Sequence, residues 1–159
     1  TGILALKHSP CECSCEQFPL EIVLAYNVCM NDCIFCKIIK GEIPNIKVYE
    51  DHDFFSFLDI NPVADGHMMI VPKKHVVWMQ EADDETIAGI FKLSKKLMNS
   101  MKKGLRCDYV QVSVVGKDVP HFHVHLIPRY FKDNLPQFPT KKHDRELAKK
   151  IAEKIIRAL

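Results

Sequence analysis

The 159-residue chain lacks an excess of charge of either sign, and it lacks a long apolar segment. Its 22 Lys and Arg residues against 20 Asp and Glu give a formal net charge of +2, which is too small to indicate nucleic acid as a partner. No apolar run approaches the roughly 20 residues of a membrane-spanning helix, so we expect no membrane association. With 47% hydrophobic residues, the composition predicts one globular domain with an apolar core.

Cysteine is not scarce, but the seven cysteines are odd in number and clustered, which is atypical of a disulfide framework. Cys33 and Cys36 form a Cys-x-x-Cys pair, which in a chain rich in histidine indicates a metal or redox pair in a reducing compartment. We therefore expect the protein to be cytoplasmic. A thioredoxin-like redox role is disfavoured because the pair does not follow a strand into a long helix.

Residues 1–29 differ from the remainder because they show no sustained periodicity. We expect them to be an N-terminal extension outside the fold, and residues 30–159 to form the functional domain with a C-terminal helix. Residues 1–29 also make a poor signal peptide, because a basic leader is missing. An open alternative is that Cys11, Cys13 and Cys15 bind a metal, although no matching His or Cys pair lies nearby.

Three of the eight histidines alternate with large apolar residues in the segment 121–128. Strand side chains point to opposite faces in turn, so a strand would present His121, His123 and His125 together and bury the residues between them in the core. The β-branched interleaving favours this strand, which we expect to stop at Pro128. Adjacent imidazoles titrate near neutrality and are costly to charge together, which indicates a chemical role.

The remaining pattern predicts strands and helices in alternation. An α+β fold follows, with packed helices on an antiparallel sheet, because short turns join most of the strands. The predicted elements are a helix over 34–40, paired strands over 47–50 and 54–58, a buried strand over 67–71, a helix from Asp83 or Asp84 to about Lys103 stopped by Gly104, a strand over 108–115 and a last helix over 144–159 with Leu147, Ile151, Ile155 and Leu159 on one side.

Four motifs together resemble the histidine triad (HIT) nucleotide-binding proteins, and in particular their bacterial-type branch with a zinc-binding cysteine pair. The motifs are CIFCKIIKGEIP at 33–44, FLDI at 57–60, GHMMIVPKKH at 66–75 and HxHxH at 121–125. The similarity covers about residues 30 to 129. It implies a homodimer of HIT-like α+β protomers that binds a purine nucleotide or dinucleotide.

The resemblance also implies an activity. Family members hydrolyse nucleoside phosphoramidates or dinucleoside polyphosphates, or transfer nucleotidyl groups, through a nucleotidyl-histidine formed at the α-phosphate. Here His123 would be the nucleophile, while His125 and His67 would contact the phosphate or protonate the leaving group. A neutral imidazole suits this role because it is nucleophilic near neutral pH once a backbone carbonyl fixes its tautomer. From the residues alone, His67 is equally well a structural histidine.

Other positions match the nucleotide-binding residues of the family. Asp59 resembles the acid that binds the ribose, although by itself it reads as a loop cap before Asn61. Four apolar residues resemble those that sandwich the base, although each is more often plain core. These are Ile34, Phe35, Ile38 and Phe57.

Members with the cysteine pair resemble zinc proteins, and their ligands match Cys33, Cys36, His75 and His121. Such a Cys₂His₂ set would be a closed structural site, and it would remove His121 from the chemistry. The alternative is a pair of reduced cysteines on a short helix.

The loop before the triad departs from the phosphoramidase pattern. Lys117 stands where glutamine is usual, and Asp118 where a small hydroxyl residue is usual. A lysine could bind an additional phosphate, whereas an aspartate would repel one. Two other functions stay open: a catalytically weak nucleotide-binding or interaction protein, and a metallohydrolase whose three histidines hold a catalytic metal.

Overall fold

The computed structural model describes residues 33–116, 118–134 and 144–159. The expected extension over residues 1–29, the domain boundary at residue 30 and Lys117 lie outside these ranges. The described elements, in chain order, are α1 Ile34–Ile39, β1 Lys47–Glu50, β2 Phe54–Leu58, β3 Met68–Pro72, α2 Asp84–Leu105, β4 Tyr109–Val114, β5 Val124–Arg129 and α3 Arg145–Ile156. None of the helices in these ranges is long and apolar enough to cross a membrane.

The sheet has five strands in the order β1-β2-β3-β5-β4, and every neighbouring pair is antiparallel. The predicted α+β class is therefore confirmed, as is the hairpin of β1 and β2. Its turn is closed by Asp51, whose Oδ1 accepts hydrogen bonds from the amides of Asp53 at 2.9 Å and Phe54 at 2.7 Å. Such side-chain closure of a turn fixes the register of both strands.

The main core lies between one face of the sheet and the two long helices. Alternate strand residues point into it, and α2 and α3 supply its other wall. As predicted, the residues interleaved with the histidines are buried in this core. Its members include Met68, Ile70, Ile90, Leu97, Phe122, Val124, Leu126 and Ile155. The intervening strand residues, and with them His123 and His125, consequently lie on the opposite face.

Helix α2 begins where the sequence predicted and ends beyond its predicted stop. Asp83 is the N-cap, and its side chain accepts a hydrogen bond from the Thr86 amide at 2.7 Å. Gly104 does not end the helix, because Arg106 takes the left-handed C-cap position with φ 55°. Gly104 instead permits a close approach: a Cβ there would lie 2.5 Å from the carbonyl oxygen of Lys154 at the end of α3.

The predicted histidine strand is wrong at both ends. Sheet pairing begins only at Val124, because the amide of Phe122 donates to the carbonyl of Val76 at 2.6 Å, outside the sheet. Pro128 does not stop the strand, which reaches Arg129. Strand β3 pairs β5 only up to Leu126, so Pro128 lies past the end of β3, where a missing amide donor costs little.

Two smaller predictions are also corrected. Strand β3 starts at Met68, one residue later than expected, because the His67 amide closes a turn by donating to the carbonyl of Ala64 at 2.9 Å. Helix α3 ends at Ile156, short of the predicted end at Leu159. Leu147 and Leu159 are both exposed, and two alanines complete the buried stripe. Small residues suit this stripe because α3 packs closely on α2.

Candidate active site and metal centre

The candidate site occupies the face of the sheet opposite α2 and α3. Helix α1 covers this face, together with a second apolar cluster that includes Phe55, Phe57, Met69 and Val71. His125 pairs with Met69 across β5 and β3, so the two side chains share this face. Burial here is deeper than a surface triad would suggest, since His121 and His123 are almost fully buried.

The four predicted metal ligands converge. Cys33 Sγ lies 3.4 Å from His121 Nδ1, and Cys36 Sγ lies 3.3 Å from His75 Nδ1 and 3.6 Å from His121 Nδ1. All four ligand atoms lie within 4.8 Å of one another. A tetrahedral site with Zn–S of about 2.3 Å and Zn–N of about 2.0–2.1 Å requires S···N separations of about 3.6 Å. The donor set therefore fits a tetrahedral ion of this size.

The protonation pattern of this cluster also suits a metal. His121 Nε2 donates to the carbonyl of Pro72 at 2.9 Å, which leaves the lone pair on Nδ1, facing the thiols. The neighbouring Cys36 side chain, followed by His121 and His75, holds the pKa of the Cys33 thiol well below its usual range, which favours the thiolate, the form that binds metals. His75 Nε2 is buried and has no hydrogen-bond partner among the described residues.

His123, the predicted nucleophile, has its tautomer fixed by the backbone. Its Nδ1 lies 2.6 Å from the carbonyl oxygen of His121, so Nδ1 carries the proton and the lone pair is on Nε2. The Phe35 ring packs edge-on against the imidazole, with ring centroids 5.1 Å apart. Burial lowers the pKa of His123, so the ring is neutral near pH 7. A neutral, oriented imidazole of this kind can act as a nucleophile.

His125 is oriented by a chain of hydrogen bonds that starts at a backbone amide. The Val63 amide donates to His67 Nδ1 at 3.2 Å, so neutral His67 carries its proton on Nε2. That Nε2 lies 2.9 Å from His125 Nδ1 and donates to it. His125 consequently carries its own proton on Nε2, where it is a hydrogen-bond donor. Burial is the main reason that the pKa of His125 is lowered to about 3, with His123 and His67 adding to the effect.

Asp59 caps the loop before Asn61, as one of its two interpretations predicted, and also lies at the site. Its Oδ1 accepts a hydrogen bond from the Asn61 amide at 2.8 Å, which is the predicted loop cap. Its Oδ2 lies 3.6 Å from His67 Nδ1. Because Nδ1 already accepts from Val63, we read the Asp59–His67 approach as electrostatic proximity and not as the bond that sets the tautomer.

The four predicted base-contacting residues separate into two groups. Phe35, Ile38 and Phe57 are buried in the apolar cluster under α1, where the rings of Phe35 and Phe57 meet edge-to-face at 5.5 Å. Ile34, in contrast, is 43% exposed on the outer side of α1. The structure thus brings Phe35 against His123 and packs it with Ile38 and Phe57 in the core, while Ile34 lies on the exposed surface of α1.

The loop before the triad approaches His123. Asp118 is exposed, and its negative charge acts on His123, raising the pKa of the imidazole against the larger effect of burial. Val119 packs against the apolar cluster under α1. Lys117 lies outside the described residues.

Three groups that organise the site could not be found from residue types. They are the carbonyls of His121 and Pro72 and the amide of Val63. Every residue carries such backbone groups, so only the chain path reveals which ones contact a histidine. The one available signal was the Asp65-Gly66 turn before His67, where Gly66 adopts φ 95°.

Comparison with known proteins assigns the class. Residues 40–132 match the HIT domain, so the chain belongs to the HIT family. It is 45% identical over 105 residues to an uncharacterized HIT-like protein of Methanocaldococcus jannaschii, covering 64% of this chain and 81% of that one. It is 39% identical over 102 residues to an adenosine 5'-monophosphoramidase of Saccharomyces cerevisiae, covering 61% of this chain and 62% of the yeast protein.

A solved structure supports the same assignment. The fold matches a zinc-bound histidine triad family protein from Mycobacterium smegmatis with a TM-score of 0.72 and 28% identity, covering 80% of this chain and 93% of that one. The family, the five-stranded sheet and the converging Cys₂His₂ cluster agree with the zinc-binding branch that the motifs resembled. The relatives support a nucleotide hydrolase.

Proposed function

We propose that the chain is a nucleotidyl-histidine hydrolase or transferase that acts on the α-phosphate of nucleoside phosphoramidates or dinucleoside polyphosphates. One observation carries the proposal: the 2.6 Å hydrogen bond from His123 Nδ1 to the carbonyl of His121 leaves the Nε2 lone pair available for attack. The similarity to an adenosine 5'-monophosphoramidase supports the substrate class.

In the first step, His123 Nε2 forms a bond to the α-phosphorus while the bond to the leaving group breaks. His125 Nε2–H donates to a non-bridging phosphate oxygen, where negative charge grows. Bound phosphate places negative charge beside His125 and so raises its pKa, which favours a proton on the ring that can pass to the leaving group. His67 holds His125 in the tautomer that this role needs.

In the second step, water attacks the phosphorus, the bond to His123 Nε2 breaks, and His125, which gave its proton to the leaving group, takes a proton from the water. The products are the nucleoside monophosphate and neutral His123, whose Nδ1 keeps its proton and its hydrogen bond to the carbonyl of His121. A different acceptor in place of water gives nucleotidyl transfer. The protein thus supplies mainly positioned donors and a fixed nucleophile, as phosphoryl-type transfer requires.

The nucleotide itself would be held next to the triad. Asp59 is partly exposed and can accept hydrogen bonds from ribose hydroxyls through Oδ2. Ile34 on α1 offers an exposed apolar surface for a purine base, with Phe35, Ile38 and Phe57 behind it. We assign Lys117 to the phosphates.

The metal centre is proposed to hold structural zinc through Cys33, Cys36, His75 and His121. Zinc there would cross-link α1 to the two segments that carry His75 and the triad. His121 then has two functions, because its ring is a ligand and its carbonyl orients His123. We expect a reducing compartment such as the cytoplasm, because Cys33, Cys36 and Cys107 form no disulfide among the described residues.

We further propose a homodimer built on the free side of β4, the last strand of the described sheet. Val112 and Val114 on β4 and Phe91 on α2 are exposed apolar side chains. A second copy could bury them and continue the sheet. Sedimentation of wild type and Val112→Glu tests this: a dimer that becomes a monomer supports it, and a wild-type monomer contradicts it.

The experiment for the activity is incubation with adenosine 5'-phosphoramidate and with a diadenosine polyphosphate, followed by rapid acid-free denaturation and intact-mass analysis. We expect an added adenylyl group on wild type, none on His123→Ala, and an unchanged adduct on His52→Ala, whose side chain is 97% exposed. Binding without turnover would indicate a nucleotide-binding protein. Activity that depends on metal added to the triad would indicate a metallohydrolase.

A further inference from the structure

The loop over residues 59–67 joins β2 to β3 and carries both Asp59 and His67. Backbone hydrogen bonds close it on itself: the Asp59 amide donates to the carbonyl of His67 at 3.0 Å, and the His67 amide donates to the carbonyl of Ala64 at 2.9 Å. The Val63 amide donates to His67 Nδ1 at 3.2 Å, which makes the imidazole itself a part of the loop. Whatever holds this loop in place therefore also holds the ring of His67.

Ile127 supports the loop from the sheet. It lies on β5 two residues after His125, so the two side chains point to the same face. Strand β3 begins too late to pair with Ile127, and the loop packs against this residue instead. Ile127 is fully buried, and it forms a small apolar cluster with Val63 and Ala64. The cluster thus contains the two loop residues whose backbone groups bond to His67.

The loop is also held from the side of the main core, at Gly66. This residue adopts φ 95°, and a Cβ there would lie 2.5 Å from Cδ1 of Leu105 and 3.4 Å from side-chain atoms of Pro128 and Ile151. The end of α2 that carries Leu105 is fixed in turn, because the Tyr130 hydroxyl donates to the Leu105 carbonyl at 3.2 Å. With this side of the loop fixed, the packing on β5 sets the position of the other side.

We propose that Ile127 is a positioning residue for nucleotidyl transfer: its packing on Val63 and Ala64 holds the Val63 amide against His67 and thereby keeps the proton of His125 on Nε2. The inference rests on the proposed function and adds a residue to it. Isoleucine has no polar atom in its side chain, so any effect of Ile127 on the reaction must act through the position of the groups that it packs against. Close packing transmits such a constraint because buried side chains leave few voids.

The position of the Val63 amide matters because a second partner for His67 Nδ1 lies nearby. Asp59 Oδ2 is 3.6 Å from that nitrogen and would accept a hydrogen bond from it if the amide moved away. His67 Nε2 would then accept from His125 Nδ1, and His125 Nε2 would carry a lone pair in place of its proton. A ring in that state cannot donate to a phosphate oxygen, so the first step would lose its donor.

The test compares Ile127→Ala with Ile90→Ala, which removes the same three carbons from an equally buried isoleucine of the main core. Both variants should melt at a lower temperature than wild type, because each leaves a cavity. Only Ile127→Ala should lower kcat, by about tenfold, with KM for adenosine 5'-phosphoramidate within about twofold of wild type. Ile127→Val and Ile90→Val remove one methyl group each and repeat the comparison with milder cavities, at about a threefold loss and no loss of kcat.

Two further readouts follow the relay itself. Hydrogen exchange of the Val63 amide should be faster in Ile127→Ala than in Ile90→Ala, because only the first variant weakens its hydrogen bond to His67. Long-range ¹H–¹⁵N NMR should show part of the His125 population with its proton on Nδ1. In the His67→Phe background, Ile127→Ala should lower kcat no further, since the relay that it positions is already removed.

The outcomes separate this inference from the proposed function. Equal kcat in Ile127→Ala and Ile90→Ala would overturn the inference, and so would a loss that adds in full to that of His67→Phe. Unchanged exchange of the Val63 amide would overturn it as well, because the amide would then be held without Ile127. None of these results affects the proposed function. If wild type forms no adduct with either substrate, the proposed function fails, whereas the exchange and NMR measurements still test the positioning by Ile127.

Discussion

His121 and His123 are two residues apart and both buried, yet their rings hydrogen-bond in opposite senses. His121 donates through Nε2 to the carbonyl of Pro72, so its lone pair is on Nδ1, in the metal cluster. His123 donates through Nδ1 to the carbonyl of His121, so its lone pair is on Nε2, in the candidate active site. The residue type is the same in both cases. The carbonyl that each ring reaches decides which nitrogen is reactive.

His125 extends the comparison, because its ring is oriented by a histidine side chain and not by a backbone carbonyl. Its Nδ1 accepts a hydrogen bond from His67, so its Nε2 carries the proton and is a hydrogen-bond donor without a free lone pair. The proposed metal ligand, nucleophile and phosphate donor are thus three alternate histidines with three different hydrogen-bond patterns. The predictions below test whether these roles are as separate as the hydrogen bonds imply.

The largest expected effect is the loss of the nucleophile. His123→Ala should lower kcat/KM by at least about 10⁴-fold, because no other described lone pair replaces Nε2. Zinc content should stay at the wild-type level, since His123 is not in the metal cluster. Steady-state assays with metal analysis check both points, and His52→Ala is the control. Activity of His123→Ala within about tenfold of wild type would contradict the assignment of His123 as the nucleophile.

Removal of a metal ligand should give the opposite pattern. Cys36→Ser should lose zinc and lower the melting temperature by about 10 °C or more, because metal binding contributes directly to folding. Activity should also fall, but by a smaller factor than in His123→Ala. The reason is that the carbonyl of His121, which orients His123, is held less firmly without the metal. Cys107→Ser is the matched control, a buried thiol outside the cluster, and should retain zinc. A variant that keeps zinc and stability would refute the metal site.

The relay to His125 should contribute less than the nucleophile. His67→Phe removes the donor to His125 Nδ1 and should lower kcat about 100-fold, the usual size of a proton-transfer or orienting contribution. His67→Gln keeps an NH donor of similar reach and should recover part of that loss. Rates of adduct formation, measured in a single turnover, distinguish this from weaker substrate binding. Equal activity in both variants would show that the hydrogen bond has no function.

The smallest effect concerns stability in acid. Folding lowers the pKa of His125 to about 3, so between that value and its ordinary value of about 6.5 the unfolded chain binds the additional proton. This contribution to stability is complete above about pH 6.5 and is lost as the pH falls toward 3. His125→Gln should therefore lose about 3 kcal/mol less than wild type between pH 7 and pH 4.

Urea unfolding of both proteins at each pH measures this difference. Acid also removes metal from the cluster, but it does so in both proteins, so the difference between them isolates His125. An identical acid dependence would mean that folding does not lower the pKa of His125.

Local patterns predicted the fold well where side chains decide the structure. The alternation and turn residues around Asp51 gave β1 and β2 with correct ends, and Asp83 gave the start of α2. Prediction failed where backbone groups form hydrogen bonds outside the sheet. The segment 121–123 alternates like a strand, but the ring of His123 and the amide of Phe122 take their hydrogen bonds outside the sheet.

The candidate site shows the same division. The four metal ligands and the catalytic candidates could be named because the motifs resemble a known family, and the structure brings the ligand atoms together. The partners that set each tautomer could not be named, since Val63 and Pro72 contribute only backbone atoms. Gly116 reads as an ordinary loop glycine until the ring of Trp78 is seen against it.

The most direct measurement of the central claim is long-range ¹H–¹⁵N correlation NMR of the histidine rings in the zinc-loaded protein near neutral pH. It reports, for each ring, which nitrogen carries the proton. The account predicts a proton on Nδ1 for His123 and on Nε2 for His121 and His125. A proton on Nε2 of His123, or a doubly protonated His123 ring, would contradict it, because the nucleophilic lone pair would then be absent.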